Sequence, residues 1–337
     1  MKVVIADCDH LDLEEEARAA ATLGIDFDPT PTRSTDPGAI TEHCADADGI
    51  LLQYANFDAA LMDALPRLKA LGRYGVGVDS IDIDAATARG IAVFNVPDYG
   101  TDAVSDHAIA LAMALLRDIG HQHRLGLIGQ ANFELARPIH LTSHLVFGVV
   151  GAGRIGRATA AKAAALGFRV IVHDIATDAD YFHGLANRPL DKLLAEADIV
   201  CLHTPLTPDS RHLIDAAALA LMKPTALLIN TARGAVIDTD ALINALRAGH
   251  LRGAGLDTVD PEPVDPKSPL FELPQVIITP HLAWYTEETY SELKRRTMTN
   301  VARYLLGRGC DDIVNPQVLT SGRTPTSTYP TESDQNI

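Results

Sequence analysis

A chain of 337 residues, 47% hydrophobic and 21% charged, is long enough for two domains and too apolar for a disordered protein. Its formal net charge of -16 argues against nucleic-acid and anionic-membrane partners, which both need a basic patch, yet it leaves room for a small anion held by a few local arginines. The first residues, MKVVIADCDH, show no secretory signal, no run approaches a membrane span, and Cys8, Cys44, Cys201 and Cys310 are scattered without a CxxC pair. These features read as a reduced, cytoplasmic chain. DCDH at 7–10 contains metal-ligand residue types, but without a second cluster it reads as a polar strand end, and no metal is expected.

In chain order, short β-branched runs at 2–6, 49–52, 68–74 and 91–95 alternate with Ala- and Leu-rich helical stretches. This is the rhythm of a parallel sheet covered by helices. DAVSDHAIALAMALLRDI then predicts a connector helix over 102–119, followed by a less regular stretch from 120 to 144. A second series begins at 145: LVFGVVG, FRVIVHD, ADIVCLHTP, ALLINTA, GAGLDTV and QVIITPH. The expected organisation is a domain over 1–100 and another over 101–286. A C-terminal helical region, 287–317, patterned from about 286 to 306, completes the first domain. A Ser-, Thr- and Pro-rich tail, 318–337, reads as disordered.

In a doubly wound sheet the ligand sits at the carboxyl ends of the strands, so the polar residues there matter most: Gly151, Asp174, Thr204, Thr231, Arg233, Asp257 and His281. GAGRIG at 151–156 follows a strand-like run and opens a helical one, the context a dinucleotide fingerprint requires. Gly151 suits the tight turn, Gly153 a close approach to pyrophosphate, and Gly156 close packing of helix on strand. The helix N-terminus then offers free N–H groups to phosphate. Asp174 closes the next run, where an acid accepts from the ribose hydroxyls and repels a 2′-phosphate, which favours NAD over NADP.

Hydride chemistry on a ketone needs a proton donor that titrates near neutrality and a cation beside the carbonyl and carboxylate. Arg233 in NTARGAV, Glu262 in DPEPV and His281 in TPHLAW supply the residue types. Singly each has a structural reading, as a surface arginine, a loop acid and a strand-end histidine. Their placement in one nucleotide-binding series makes a shared site the better account.

RYGVGVDSID (73–82), GAGRIG (151–156), LHTPLTPDSRHLI (202–214), NTARGAVID (230–238), GLDTVDPEP (255–263) and TPHLAWY (279–285) together resemble the NAD-dependent D-isomer-specific 2-hydroxyacid dehydrogenases. The AWY step is most similar to the branch that contains the C-terminal binding proteins. The resemblance implies two doubly wound parallel-sheet α/β domains, a Rossmann-type cofactor domain and a flavodoxin-like substrate domain, in a homodimer packed through its cofactor domains. It implies His281 as acid–base catalyst, Glu262 as the acid that keeps it charged over a wider pH range, and Arg233 on the substrate carboxylate and carbonyl. The amides of Val76 and Gly77 would hold the rest of the carboxylate. On the cofactor side it implies Arg154 and Ile155 in the phosphate loop, Asp174 at the ribose, Thr204, Pro205, Thr231 and Ala232 along the dinucleotide, and Asp257 at the carboxamide. Ser80 and Thr258 depart from the family's usual asparagine and valine, outside the catalytic trio.

Three residues bear on substrate choice. Trp284 reads either as a pocket wall or as an interface or core residue; Arg73 reads either as a site for a second anionic group or as a surface ion pair; Tyr54 is a weaker pocket candidate. The leading function is reduction of a 2-keto acid to a (2R)-hydroxy acid. Two alternatives compete with it, an NAD(H)-sensing, corepressor-like binding protein and a phosphite-type dehydrogenase. Glu262 speaks against a formate dehydrogenase, which carries glutamine there.

Overall fold

The computed structural model describes residues 1–134, 138–175 and 184–320. The chain divides into two compact units, Met1–Tyr99 with the chain from Glu287 onward, and Gly100–Thr286. Among the described residues no helix is long and apolar enough to cross a membrane.

In the first unit β1 (Lys2–Ile5), β2 (Asp26–Asp28), β3 (Gly49–Leu52), β4 (Ala70–Arg73) and β5 (Ala92–Phe94) form one sheet in the order β2-β1-β3-β4-β5. Every pairing is parallel, and the order is that of flavodoxin-like folds. β3 and β5 are buried throughout, so they read as continuous apolar runs and not as alternating ones. The helix Glu287–Leu305 returns to cover one face. Its approach is set by glycine: a Cβ on Gly49 would come within 2.7 Å of Val301, and one on Gly72 within 2.7 Å of Val301 and 3.0 Å of Leu51 and Thr297. Beyond the helix, the buried Asn315 accepts from the Val93 amide and donates to the Ile91 carbonyl and Thr87 hydroxyl, closing the open edge of β5.

The second unit holds β6 (Val146–Val150), β7 (Arg169–His173), β8 (Ala186–Asn187), β9 (Ile199–Leu202), β10 (Leu227–Asn230), β11 (Gly253–Leu256) and β12 (Val276–Ile278). They are parallel in the order β12-β11-β10-β9-β6-β7-β8, the doubly wound dinucleotide-binding arrangement. The order reverses between β6 and β9, which opens a crevice beyond their carboxyl ends. The helix Thr101–Leu116 packs on this sheet, where Gly255 lets Leu111 and Leu115 close in. Part of the chain's acidity serves helix starts. Asp36, Asp58, Asp82, Asp215 and Asp238 each accept the amide three residues on, an N-cap that contributes about 1 kcal/mol.

The elements differ in part from the sequence reading. The connector helix expected over 102–119 stops at Leu116, because Asp118 takes a left-handed conformation (φ 54°) and a separate helix, Ile119–Leu127, begins in the stretch read as irregular. In the C-terminal region 287–317 the helix patterned from about 286 to 306 is Glu287–Leu305, and Gly307 at φ 67° reverses the chain after it. Where the tail is expected from 318, Pro316–Leu319 forms a 3-10 turn that buries Val318; residues 321–337, the rest of that expected tail, lie outside the described residues. β2 and β8 were missed, since two or three partly exposed residues carry no period.

The close helix approach makes a specific demand. Gly72→Ala is expected to lower the unfolding free energy of the first unit by about 1–3 kcal/mol in urea titrations, as overpacking does elsewhere. Gly309→Ala, whose Cβ meets nothing within 4 Å, should leave it near the wild-type value.

Candidate active site

The candidate phosphate cradle is assembled by backbone proximity. Gly151 follows β6 at φ 92°, and a Cβ there would press to 2.7 Å from the His203 carbonyl group after β9. A Cβ on Gly156 would overlap the Gly151 carbonyl oxygen, so neither position accepts a side chain. Gly153 is different: its Cβ would meet nothing within 4 Å, which leaves open space at the N-terminus of the helix Arg154–Ala165. Arg154 and Ile155 form that helix's first turn. Asp174, just past β7, accepts the Ala152 amide through Oδ2 at 2.7 Å and so ties the second strand to the glycine turn.

Next to the cradle, Thr204 follows β9 and Thr231 follows β10. Both carry buried hydroxyls with no hydrogen-bond partner among the described residues, and Pro205 stands exposed beside the first. Unpartnered buried hydroxyls are costly unless a ligand satisfies them. Open space over Gly153 and two orphaned hydroxyls on adjacent strand ends suit a dinucleotide.

The prospective catalytic residues leave three neighbouring strands at matched levels. In register, Asn230 of β10 lies beside Leu256 of β11, and Leu256 beside Ile278 of β12. Arg233, the 257–262 segment and His281 therefore emerge from one edge of the sheet. Asn230, fully buried, shapes the first exit: its Nδ2 donates to the Arg233 carbonyl at 2.9 Å and its Oδ1 accepts the Ala232 amide at 3.0 Å. Gly234 then packs so tightly on the Val259–Asp260 peptide that no Cβ fits. The sequence reading missed Asn230; the available signal was an amide closing an otherwise apolar strand, LLIN, where only local hydrogen bonds offset its burial.

His281 Nδ1 lies 2.6 Å from Glu262 Oε1. The backbone of His281 sits at φ 50°, a left-handed conformation that costs a non-glycine residue on the order of 1–3 kcal/mol. Asp257 holds it there. Its carbonyl accepts the His281 amide at 2.8 Å, and its carboxylate accepts the Thr279 hydroxyl (2.6 Å) and the amides of Leu282 (3.0 Å) and Ala283 (2.9 Å). The Asp257 side chain is 1% exposed, so those bonds are what make its charge tolerable. Trp284 comes next, half-buried, with its ring edge-on to Tyr285 and its Cβ near Gly100.

The remaining expected residues belong to the first unit. Arg73 ends β4, and its guanidinium folds over Gly75. The Gly75–Gly77 turn is pinned by Val96 N donating to the Gly75 carbonyl and Asn95 Nδ2 to the Val76 carbonyl at 2.7 Å, with Val76 exposed. Tyr74 anchors the turn from below: its hydroxyl donates to Glu16 Oε1 at 3.0 Å, and burial with that carboxylate alongside pushes the phenol pKa well up. Tyr54 is exposed and donates to Asp9 Oδ2 at 2.8 Å. The DCDH residues serve this unit internally. Asp7 accepts the amides of Gln53 and Tyr54, and His10 pairs with Glu16.

Residues 109–283 match the family model described as D-isomer specific 2-hydroxyacid dehydrogenase, NAD binding domain. A glyoxylate reductase of Korarchaeum cryptofilum is 36% identical over 83% of this chain and 86% of its own length. A D-3-phosphoglycerate dehydrogenase of Mycobacterium leprae is 40% identical over 80% of this chain, which spans only about half (51%) of that longer protein. Among solved structures, a D-lactate dehydrogenase of Aquifex aeolicus complexed with NAD and lactic acid superposes with a TM-score of 0.80 at 29% identity, covering 90% of this chain and 96% of that one.

The two kinds of glycine in the cradle separate by experiment. Gly153→Ala should weaken NADH binding, read by NADH fluorescence titration, by about tenfold or about 1.4 kcal/mol with the melting temperature unchanged. Gly156→Ala should lower both. Unchanged affinity in both variants would remove the cradle from cofactor binding.

Proposed function

The chain belongs to the D-isomer-specific 2-hydroxyacid dehydrogenase family, and from that premise we propose that this NAD-dependent oxidoreductase interconverts a small 2-keto acid and its (2R)-hydroxy acid with His281 as the acid–base group. The observation that carries the proposal is the 2.6 Å contact between His281 Nδ1 and Glu262 Oε1 at the carboxyl end of β12. NAD(H), when bound, supplies or accepts the hydride.

A carboxylate can only accept, so the shared proton in that contact sits on Nδ1, and proton exchange with substrate falls to Nε2. On reduction Nε2 gives its proton to the keto oxygen; on oxidation it takes the hydroxyl proton. Glu262 orients the ring and offsets the charge of the imidazolium. Arg233 is assigned to the carboxylate and carbonyl of the substrate, for which its planar fork is suited. Gly151, Gly153, Arg154, Ile155 and Gly156 are assigned to the pyrophosphate, Asp174 to the ribose, and Thr204, Pro205, Thr231 and Ala232 to the rest of the dinucleotide. Asp257 is assigned to the carboxamide end, chiefly through the loop it fixes.

Val76 and Gly77 are proposed as amide donors to the substrate carboxylate, Arg73 as the residue that reads a second anionic group, and Trp284 and Tyr54 as contributors to substrate choice. The corepressor-like and phosphite-type alternatives are not favoured, because the relatives are named as reductases and dehydrogenases of hydroxy acids. A homodimer is proposed from the family resemblance, with the exposed apolar side chains Leu127, Ile128, Phe133 and Leu141 as candidate contacts. Placement in the cytoplasm rests on the free thiols, three of them buried, and cell fractionation checks it.

His281→Ala is expected to lower kcat for keto-acid reduction by about 10²–10⁴-fold, the usual contribution of general acid–base catalysis, with NADH affinity retained. Arg233→Ala should raise KM and lower kcat together, and Arg73→Ala should harm a dicarboxylic keto acid more than pyruvate. Wild-type turnover in either of the first two variants, or equal effects on the two substrates in the third, would contradict the corresponding assignment. Light scattering should give twice the chain mass, falling to one chain mass in Leu127→Asp/Phe133→Asp; a wild-type monomer would refute the dimer.

A further inference from the structure

His107 lies in the middle of the apolar helix Thr101–Leu116, on an element that carries none of the residues assigned above. Its Nε2 is 2.9 Å from Thr279 Oγ1, and Thr279 Oγ1 is 2.6 Å from Asp257 Oδ1. The direction of both bonds follows from the inventory of protons. The Asp257 carboxylate can only accept, so the one hydroxyl proton of Thr279 points to it. Thr279 then has only lone pairs to offer His107, and the imidazole must donate from Nε2. The result is a one-way relay across three elements, from His107 to Thr279 to Asp257.

Asp257 is where the relay gains a consequence. Its two carboxylate oxygens bind the amides of Leu282 and Ala283, and its carbonyl binds the amide of His281. His281 is thereby kept at φ 50°, a conformation it would leave if the restraint loosened. His107 Nε2 is also 3.6 Å from Asp257 Oδ1, so the ring borders both members of the relay it begins.

We propose that His107 and Thr279 are positioning residues for the acid–base histidine, fixing the Asp257 carboxylate and through it the height and direction of the His281 ring. The inference rests on the reading of His281 as the acid–base group. It predicts that what matters at 107 is a hydrogen-bond donor at the Nε2 position, and what matters at 279 is a hydroxyl.

The test compares His107→Leu, His107→Gln, Thr279→Val and Thr279→Ser with wild type and with His281→Ala, using the keto acid of highest turnover in the wild-type enzyme and NADH titrations in parallel. His107→Leu and Thr279→Val should lower kcat about tenfold, the scale on which small misplacement of a catalytic group acts, while KM and NADH affinity stay within about threefold. The donor-bearing His107→Gln and the hydroxyl-bearing Thr279→Ser should recover most of the loss, which a merely structural role would not require. Wild-type kcat in both His107→Leu and Thr279→Val, or no recovery in His107→Gln and Thr279→Ser, overturns the proposal even when His281→Ala is inactive. Full activity in His281→Ala would instead overturn the acid–base reading and this inference with it. A readout independent of turnover is the tautomer of His107 by imidazole ¹H–¹⁵N NMR: a proton on Nε2 agrees with the relay, and a neutral ring protonated only on Nδ1 contradicts it.

Discussion

The Asp257 carboxylate is the constraint on which the candidate active site depends. It is an ionisable group with a 1% exposed side chain, and a buried charge is tolerated only when its lone pairs are filled. Here they are filled by the Thr279 hydroxyl and the amides of Leu282 and Ala283, all from the short loop beyond β12. Satisfying the charge and shaping the loop are therefore the same event. The loop cannot relax toward a more comfortable backbone at His281 without stranding the carboxylate, so a residue at φ 50° persists in an otherwise regular sheet edge.

The sheet gives that local device its place. Parallel pairing of β10, β11 and β12 brings Asn230, Leu256 and Ile278 level, so the three exits project from one edge at neighbouring positions. Each exit is then fixed by a buried polar group: Asn230, the last residue of β10, at the first, and Asp257, just past β11, at the second and third. The glycine cradle after β6 works by exclusion, since Gly151 and Gly156 sit where a methyl group would strike backbone. One side of the edge is built from missing side chains and the other from fully committed ones. Both are forms of preorganisation, which lowers the cost of binding and of proton transfer.

Much of this was legible in the sequence because the signals were local. GAGRIG declared its turn through glycine spacing, six of the seven strands of the second sheet declared themselves as apolar runs, and His281 and Arg233 stood at the ends of such runs. What escaped was non-local or too short. His107 sits among alanines and leucines, and nothing in its neighbourhood announces a partner 172 positions away. Asn230 was read only as part of a motif, and the burden on Asp257 was invisible because its partners lie on the next strand's loop. The break at Asp118 was missed because one left-handed aspartate does not interrupt an apolar period. β2 and β8 were too brief to have one.

The central claim is that one group, His281, gives the proton in one direction and takes it in the other. It is tested most directly by the pH dependence of kcat/KM measured both ways, keto-acid reduction with NADH and hydroxy-acid oxidation with NAD. Reduction needs the protonated imidazole, so its rate should hold at low pH and fall as pH rises; oxidation needs the neutral ring, so its rate should rise over the same interval. The account predicts these opposed limbs in the wild-type enzyme. Limbs running in the same sense, or no pH dependence in either direction, would contradict it.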